Sequence, residues 1–315
     1  MSRGPRYHDA NEAHSHRRLG WGGDVCFAVG SGFAAAEEEG RLNDMRNRIT
    51  GLALLSLLAA CESQRKIPEI VQDILSAEHA SRQRLAVELS EHGKAAVTAW
   101  IQLLKNDKDD YNLYVIAADG LSALGAEAVV AVPELTRFLR DGFPGMKLAE
   151  MTLAQRVKTR DAARRHACAA LESIGVAAVP ALRALLSHAT ARTRQETVVT
   201  LGRIGREAKA AVPDLIRLLG DADKAVATMA AWALGEIQSA SADVKKALVA
   251  AFEDNIPLVR FEAVRAMGKF GKDAADVREE IRKLTGDPDL GVREVAFEAL
   301  GRVPAPADDD AASKK

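Results

Sequence analysis

The chain has few aromatics, few cysteines and almost no net charge, and each shortage removes a class of protein. Aromatic residues fill 4% of 315 positions, so a core must be packed from the Ala, Leu and Val that dominate an apolar content of 48%. The three cysteines, Cys26, Cys61 and Cys168, show neither a CxxC nor a regular spacing. That excludes a disulfide framework or a zinc site as the source of the fold. A net charge of −1 supplies no global field for nucleic acid or an anionic membrane, and nucleic acid is not an expected partner. Gly-x-Ser-x-Gly, His-Glu-x-x-His and phosphate-loop signatures are missing, and hardly any segment reads as strand, which removes most nucleotide-binding folds. No catalytic residue, metal ligand or cofactor is assigned, and the chain is expected not to be an enzyme.

Among what is present, residues 45–61 stand out: MRNRITGLALLSLLAAC. Arg46 and Arg48 form a short positive region, and the mainly apolar run over 49–60 follows. Its 12 residues are too few to span a bilayer but suit the core of a signal peptide. Leu58-Ala59-Ala60-Cys61 resembles the bacterial lipobox, in which small residues enter the peptidase pocket and the cysteine thiol carries the lipid. The resemblance implies a signal peptide at 45–60, lipid attachment at Cys61, a tether over 61–66 and a place in the bacterial cell envelope. Glu62, in the place of an Asp, favours the outer over the inner membrane. Diacylation or triacylation supplies the two or more chains that stable anchoring takes. On this reading Met45 is the start, and residues 1–44, which lack helical periodicity, are not part of the natural protein. His8, His14 and His16 within them carry no metal-site pattern.

From residue 67 onward the chain repeats itself. LGRIG (201–205), LGEIQ (234–238), MGKFG (267–271) and LGRVP (300–304) close at intervals of 33 residues, and LSALG (121–125) and LESIG (171–175) belong to the same series. Their glycines suit helix C-termini. Val132-Pro133, Val179-Pro180 and Val212-Pro213 open the partner segments, where proline fits a first helical turn. Between these marks the apolar residues keep helical spacing; Val259, Ala263, Met267 and Phe270 share one face. The pattern predicts seven helix pairs over 67–92, 94–124, 128–174, 177–204, 208–237, 241–270 and 273–302. No pair can bury its apolar face alone, so the pairs must stack. The motif Asp-x5-Arg at Asp254/Arg260 and Asp287/Arg293 is expected to tie each inter-helix turn to the next helix as a structural ladder. Cys168 falls at a small-residue position of a helix and reads as core.

These motifs, with Ala233-Leu234-Gly235 and Ala299-Leu300-Gly301, resemble the HEAT repeat family, in particular the short bacterial form also found in phycobilin lyase subunits. The resemblance implies an all-α, right-handed α-solenoid of about seven antiparallel helix pairs over 67–303, with a disordered tail at 304–315. It also implies that the second helix of each unit lines the concave face, near Arg164, Arg194, Arg260 and Arg293. One HEAT enzyme, deoxyhypusine hydroxylase, binds two irons through His-Glu dipeptides, and this chain contains none.

Two features depart from the period. Between Gly125 and Gly175 lie 17 more residues than one period, placing an insert near 141–160. It offers Phe143, Met146 and Met151 as apolar contact residues. Charge is also uneven. Residues 137–217 carry 15 Lys/Arg against 7 Asp/Glu, while the flanks 61–136 and 218–315 are net −5 and −4. Arg160, Arg164, Arg165, Arg194 and Arg203 are therefore expected to receive a partner, and an acidic protein fits them. The functional expectation is a non-enzymatic lipoprotein scaffold for protein–protein interaction. Its alternative is a cytosolic protein that binds nucleic acid or serves as a lyase-type or modification-enzyme subunit.

Overall fold

The computed structural model describes residues 65–105, 110–141 and 152–305, and no strand occurs among them. The expected signal peptide, lipid site Cys61, start at Met45, and contact residues Phe143, Met146 and Met151 lie outside the described residues, as does the tail beyond 305. Among the described residues fourteen α-helices form the seven expected pairs: α1 (Ile67–Ser76) with α2 (His79–Ser90), α3 (Val97–Leu104) with α4 (Tyr111–Leu124), α5 (Val132–Asp141) with α6 (Leu153–Ile174), and α7 (Val179–Leu185) with α8 (Ala191–Ile204). The series continues with α9 (Val212–Leu218) and α10 (Lys224–Ile237), α11 (Ala242–Ala250) and α12 (Pro257–Phe270), and α13 (Arg278–Lys283) and α14 (Leu290–Arg302). Each even-numbered helix packs on its own odd-numbered partner and on the next even-numbered helix, which makes one continuous layer of second helices.

The repeat motifs map onto distinct tasks. Gly125, Gly175, Gly205 and Gly271 take φ of 55°, 73°, 70° and 55° with ψ between −123° and −137° at the ends of second helices, a combination essentially confined to glycine. A 3₁₀ turn begins at each of them and runs into the next helix. The glycine of Ala-Leu-Gly has another role. A Cβ on Gly235 would stand 2.9 Å from Ala266 Cα, and one on Gly268 would stand 3.1 Å from Ala299 Cβ. Glycine there lets neighbouring second helices approach more closely than any other residue allows.

The Asp/Arg ladder exists, with a different connectivity from the expected one. Asp221, Asp254 and Asp287 each close their own turn by accepting a backbone N–H two residues on, at 2.8, 2.9 and 2.8 Å. Their remaining capacity goes to the preceding repeat rather than to the arginine six residues later. Arg194 forks onto Asp221 at 2.8 and 2.7 Å, and Arg260 onto Asp287 at 2.8 and 2.7 Å. Within the Asp-x5-Arg motif the link is from guanidinium to backbone: Arg260 donates to the Asp254 carbonyl at 2.8 Å and Arg293 to the Asp287 carbonyl at 2.7 Å. A carboxylate already folded into its turn cannot also reach the local arginine. Residue 227, one period before Arg260, is Ala227; Lys224, one turn earlier, reaches Asp254 at 2.8 Å and keeps the ladder continuous.

The insert resolves partly into helix. Thr152 and Gln155 form a reciprocal capping box at the start of α6. From there α6 runs 22 residues, against 14 for α4, α8, α10 and α12. Two extra turns therefore project α6 beyond its neighbours on the basic part of the chain.

Candidate functional site

The layer of second helices presents one face to solvent, and on α6 and α8 that face is basic. Arg160 and Arg165 on α6 are exposed and make no hydrogen bond or ion pair among the described residues. Arg203 on α8 is exposed, with Glu172 at 3.7 Å as its ion-pair partner. The other cations of these two helices named below are neutralised. Arg164 donates to Glu196 at 2.7 Å, and Arg192 reaches Glu196 at 2.5 Å and Asp161 at 3.2 Å. Arg194 is committed to Asp221 and to the His188 carbonyl at 2.8 Å, so it serves the ladder. The expected cluster thus divides by helix face: Arg160, Arg165 and Arg203 point to solvent, while Arg164 and Arg194 point to the following repeat.

Two clefts flank Arg165. One, of about 420 Å³, lies between α6 and α8 and is lined by the apolar Ala169 and Val199, by Thr200, by Arg165 and Arg203, and by Glu196, whose carboxylate is already held by Arg164 and Arg192. The other, of about 410 Å³, is bounded by Tyr111, Lys158, Asp161 and Arg165. Arg165 is common to both, so the two clefts adjoin along α6. A third cleft, of about 360 Å³, contains Arg183 and Arg217, which share Asp214, and Arg194, which pairs with Asp221. Cys168 lies in the first cleft, half-buried beside Thr200, and burial pushes its thiol up to about 11. A thiol so seldom ionised is a packing residue, as the sequence suggested. His166 Nδ1 and Asp119 Oδ1 pair at 2.5 Å across α4 and α6. Among the described residues no group of three metal-ligating side chains converges.

The HEAT-repeat family model matches residues 150–223, 191–255 and 245–314, together just over half of the chain. The chain belongs to the HEAT-repeat family. No curated protein sequence matches it. Among solved structures this HEAT chain is similar to Kap121p, at 15% identity and a TM-score of 0.52, with 74% of this chain and 29% of Kap121p covered. It is also similar to an archaeal HEAT-like repeats protein from Thermococcus onnurineus NA1, at 13% identity and a TM-score of 0.46, covering 76% and 99% of the two chains. Human deoxyhypusine hydroxylase aligns at 19% identity and a TM-score of 0.34 over 78% and 98%. At 15% identity the likeness to Kap121p speaks for the fold alone.

The structure adds residues that the charge pattern missed. Trp232 on α10 and Phe261 on α12 are half-buried on the same face that carries Arg165 and Arg203. Trp232 lies across the backbone of α8 at Gly202, and Arg265 stands over the Phe261 ring at 5.9 Å. A signal was available in the sequence: Arg165 and Phe261 share one recurring HEAT position and Val199, Trp232 and Arg265 another, and none of the five is buried. Reading the repeat by column would have assembled them.

Proposed function

We propose that this HEAT protein is a non-enzymatic scaffold that holds an acidic protein segment along its layer of second helices, centred on the cleft between α6 and α8. The observation that carries the reading is the pair of exposed cations Arg165 and Arg203 lining one cleft with the apolar Ala169 and Val199, with acidic neighbours too few or too distant to satisfy them. Carboxylates along an extended peptide supply charge-assisted partners for both guanidinium groups. The extra turns of α6 lengthen the basic wall with Lys158 and Arg160, and Trp232 continues the apolar lining towards the C-terminal repeats. We further propose that the chain is a bacterial envelope lipoprotein anchored through Cys61, with the outer membrane favoured. The lipobox-like Leu58-Ala59-Ala60-Cys61 after an apolar core supports this.

Fluorescence anisotropy with a labelled oligoglutamate peptide tests the scaffold reading on the full chain. Binding should weaken as salt rises and should fall at least about tenfold in Arg165→Glu with Arg203→Glu, two charge-assisted contacts being worth roughly 1.4 kcal/mol or more together. Absence of binding at low salt, or equal binding by the variant, refutes it. Preference for duplex DNA over the peptide would favour the cytosolic alternative. Mass spectrometry of the mature N-terminus with a Cys61→Ser control decides the anchor.

A further inference from the structure

The joint between α6 and α8 is built differently from those that follow it. Where α8, α10 and α12 meet the next second helix, a glycine lies at the crossing: Gly202 beneath Trp232, Gly235 against Ala266 and Gly268 against Ala299. The corresponding position on α6 is Glu172, whose carboxylate reaches Arg203 at 3.7 Å. A side chain of that length at the crossing keeps the helices apart. The terminal α2 aside, α6 and α8 touch far less extensively than any other consecutive second helices, although α6 is the longest of them. The cleft of about 420 Å³ lies in the space left between them. The ladder also skips this joint. Arg164 and His188 hold the places of Arg260 and Asp287 in the repeat. His188 closes its own turn as the aspartates do, its Nδ1 accepting the Thr190 N–H at 3.1 Å. A neutral imidazole has one accepting nitrogen, so none remains for an arginine, and Arg164 turns to Glu196 instead. On the side of the first helices the joint stays shut. There α5 packs directly on α7, and the buried Thr193 hydroxyl of α8 donates to the Leu139 carbonyl of α5 at 3.2 Å.

We propose that this joint is a hinge. Residues 67–174 and 177–303 move as two blocks about an axis along α5 and α7, and the cleft between α6 and α8 widens and narrows as they do. Close-packed helices resist such motion, because parting them opens voids; a joint spanned by long side chains does not. Charge is what chiefly spans this one on the cleft side: Arg164 to Glu196 at 2.7 Å, Arg192 to Glu196 and to Asp161, and Arg203 to Glu172. These pairs set the narrow limit of the motion. They weaken as salt rises, whereas the apolar contacts at the other joints do not. The hinge belongs to the free chain and does not depend on what the cleft binds.

Spin-label distances measured by pulsed electron resonance on the full chain test this. Glu127, Glu207 and Asp273 are exposed, and each follows the glycine that closes a second helix by two positions. The pair Glu127→Cys with Glu207→Cys spans two joints, one of them α6/α8. The pair Glu207→Cys with Asp273→Cys spans two joints of the close-packed kind and is the control. Both are made in a chain carrying Cys26→Ser, Cys61→Ser and Cys168→Ala. The distance distribution across the hinge should be about twice as broad as the control or more. It should broaden further in about 0.5 M salt, and with Glu196→Gln, which removes the carboxylate shared by Arg164 and Arg192, while the control pair stays unchanged. Equal widths for the two pairs overturn the hinge. A broad distribution that neither salt nor Glu196→Gln alters overturns the part given to the ion pairs.

Discussion

Removing Arg260 tests whether the ladder holds the HEAT repeats together. Its guanidinium makes two hydrogen bonds to Asp287 and a third to the Asp254 carbonyl, all between 2.7 and 2.8 Å, with side-chain exposures of 10% and 4% for the pair. Truncating one partner of such a buried pair costs about 3–5 kcal/mol, because the other charge is left without compensation. Asp287 retains the Asp289 N–H, which places Arg260→Ala at the lower end, about 3 kcal/mol. Urea denaturation followed by circular dichroism at pH 7 reads the loss, and hydrogen exchange should localise it to α12 and α14, since repeats couple chiefly to neighbours. Arg293→Ala is an internal control. It removes carbonyl contacts with no carboxylate, so about 1 kcal/mol or less should be lost in dilute solution. The pH dependence has a definite sign. The Arg260 hydrogen bond holds the Asp287 carboxyl below the ordinary carboxylate range. Its contribution is therefore complete above the unfolded value near pH 4 and disappears as pH falls through the lower folded value. Arg260→Ala should lose that part of the acid dependence. If Arg260→Ala costs no more than Arg293→Ala, or if the mutant and parent acid profiles are parallel, the ladder does not stabilise the stack.

Three further outcomes follow from single positions. Gly235→Ala should destabilise by about 1–3 kcal/mol, because the new Cβ would stand 2.9 Å from the Ala266 backbone and neighbouring helices would have to part; a thermal melt reads it. Gln238 holds φ 53° where other repeats have glycine, so Gln238→Gly should stabilise by a few tenths to about 1 kcal/mol in the same melt, less whatever its exposed bond from Arg206 contributes. Alkylation of Cys168 at pH 8, followed by peptide mass spectrometry, should be about 100-fold slower in the folded chain than in urea, because burial raises the thiol from 9.0 to about 11.

What the sequence made legible follows from what a repeat forces. The 33-residue spacing of 205, 238, 271 and 304 fixed the helix pairs, and Val-Pro placed the first-helix starts at Val132, Val179 and Val212 as the structure has them. Those positions are set by burial and backbone geometry, which leave few residue choices. The ladder was legible only in part. Asp-x5-Arg recorded two residues that do cooperate, but in register with adjacent repeats, and a linear spacing cannot tell a local pair from one 27 residues on. The cation at Lys224 left no trace at all, because it substitutes from a different turn of the helix.

The cleft was the hardest to read, for a physical reason. Net charge over 137–217 counts Arg164, Arg192 and Arg194 equally with Arg165 and Arg203, yet the first three are neutralised by Glu196, Asp161 and Asp221. Charge composition sums over helix faces, whereas binding depends on which face each guanidinium occupies. In a stack of similar units the shared residues maintain the stack, so any specificity must lie where one unit departs from the rest. The departures here are few: the extended α6, Arg165 and Arg203 without adequate carboxylates, Trp232 laid over Gly202, and Phe297 exposed where α4, α8, α10 and α12 bury Ala or Val. The first three adjoin in the middle repeats and the last stands on the final helix.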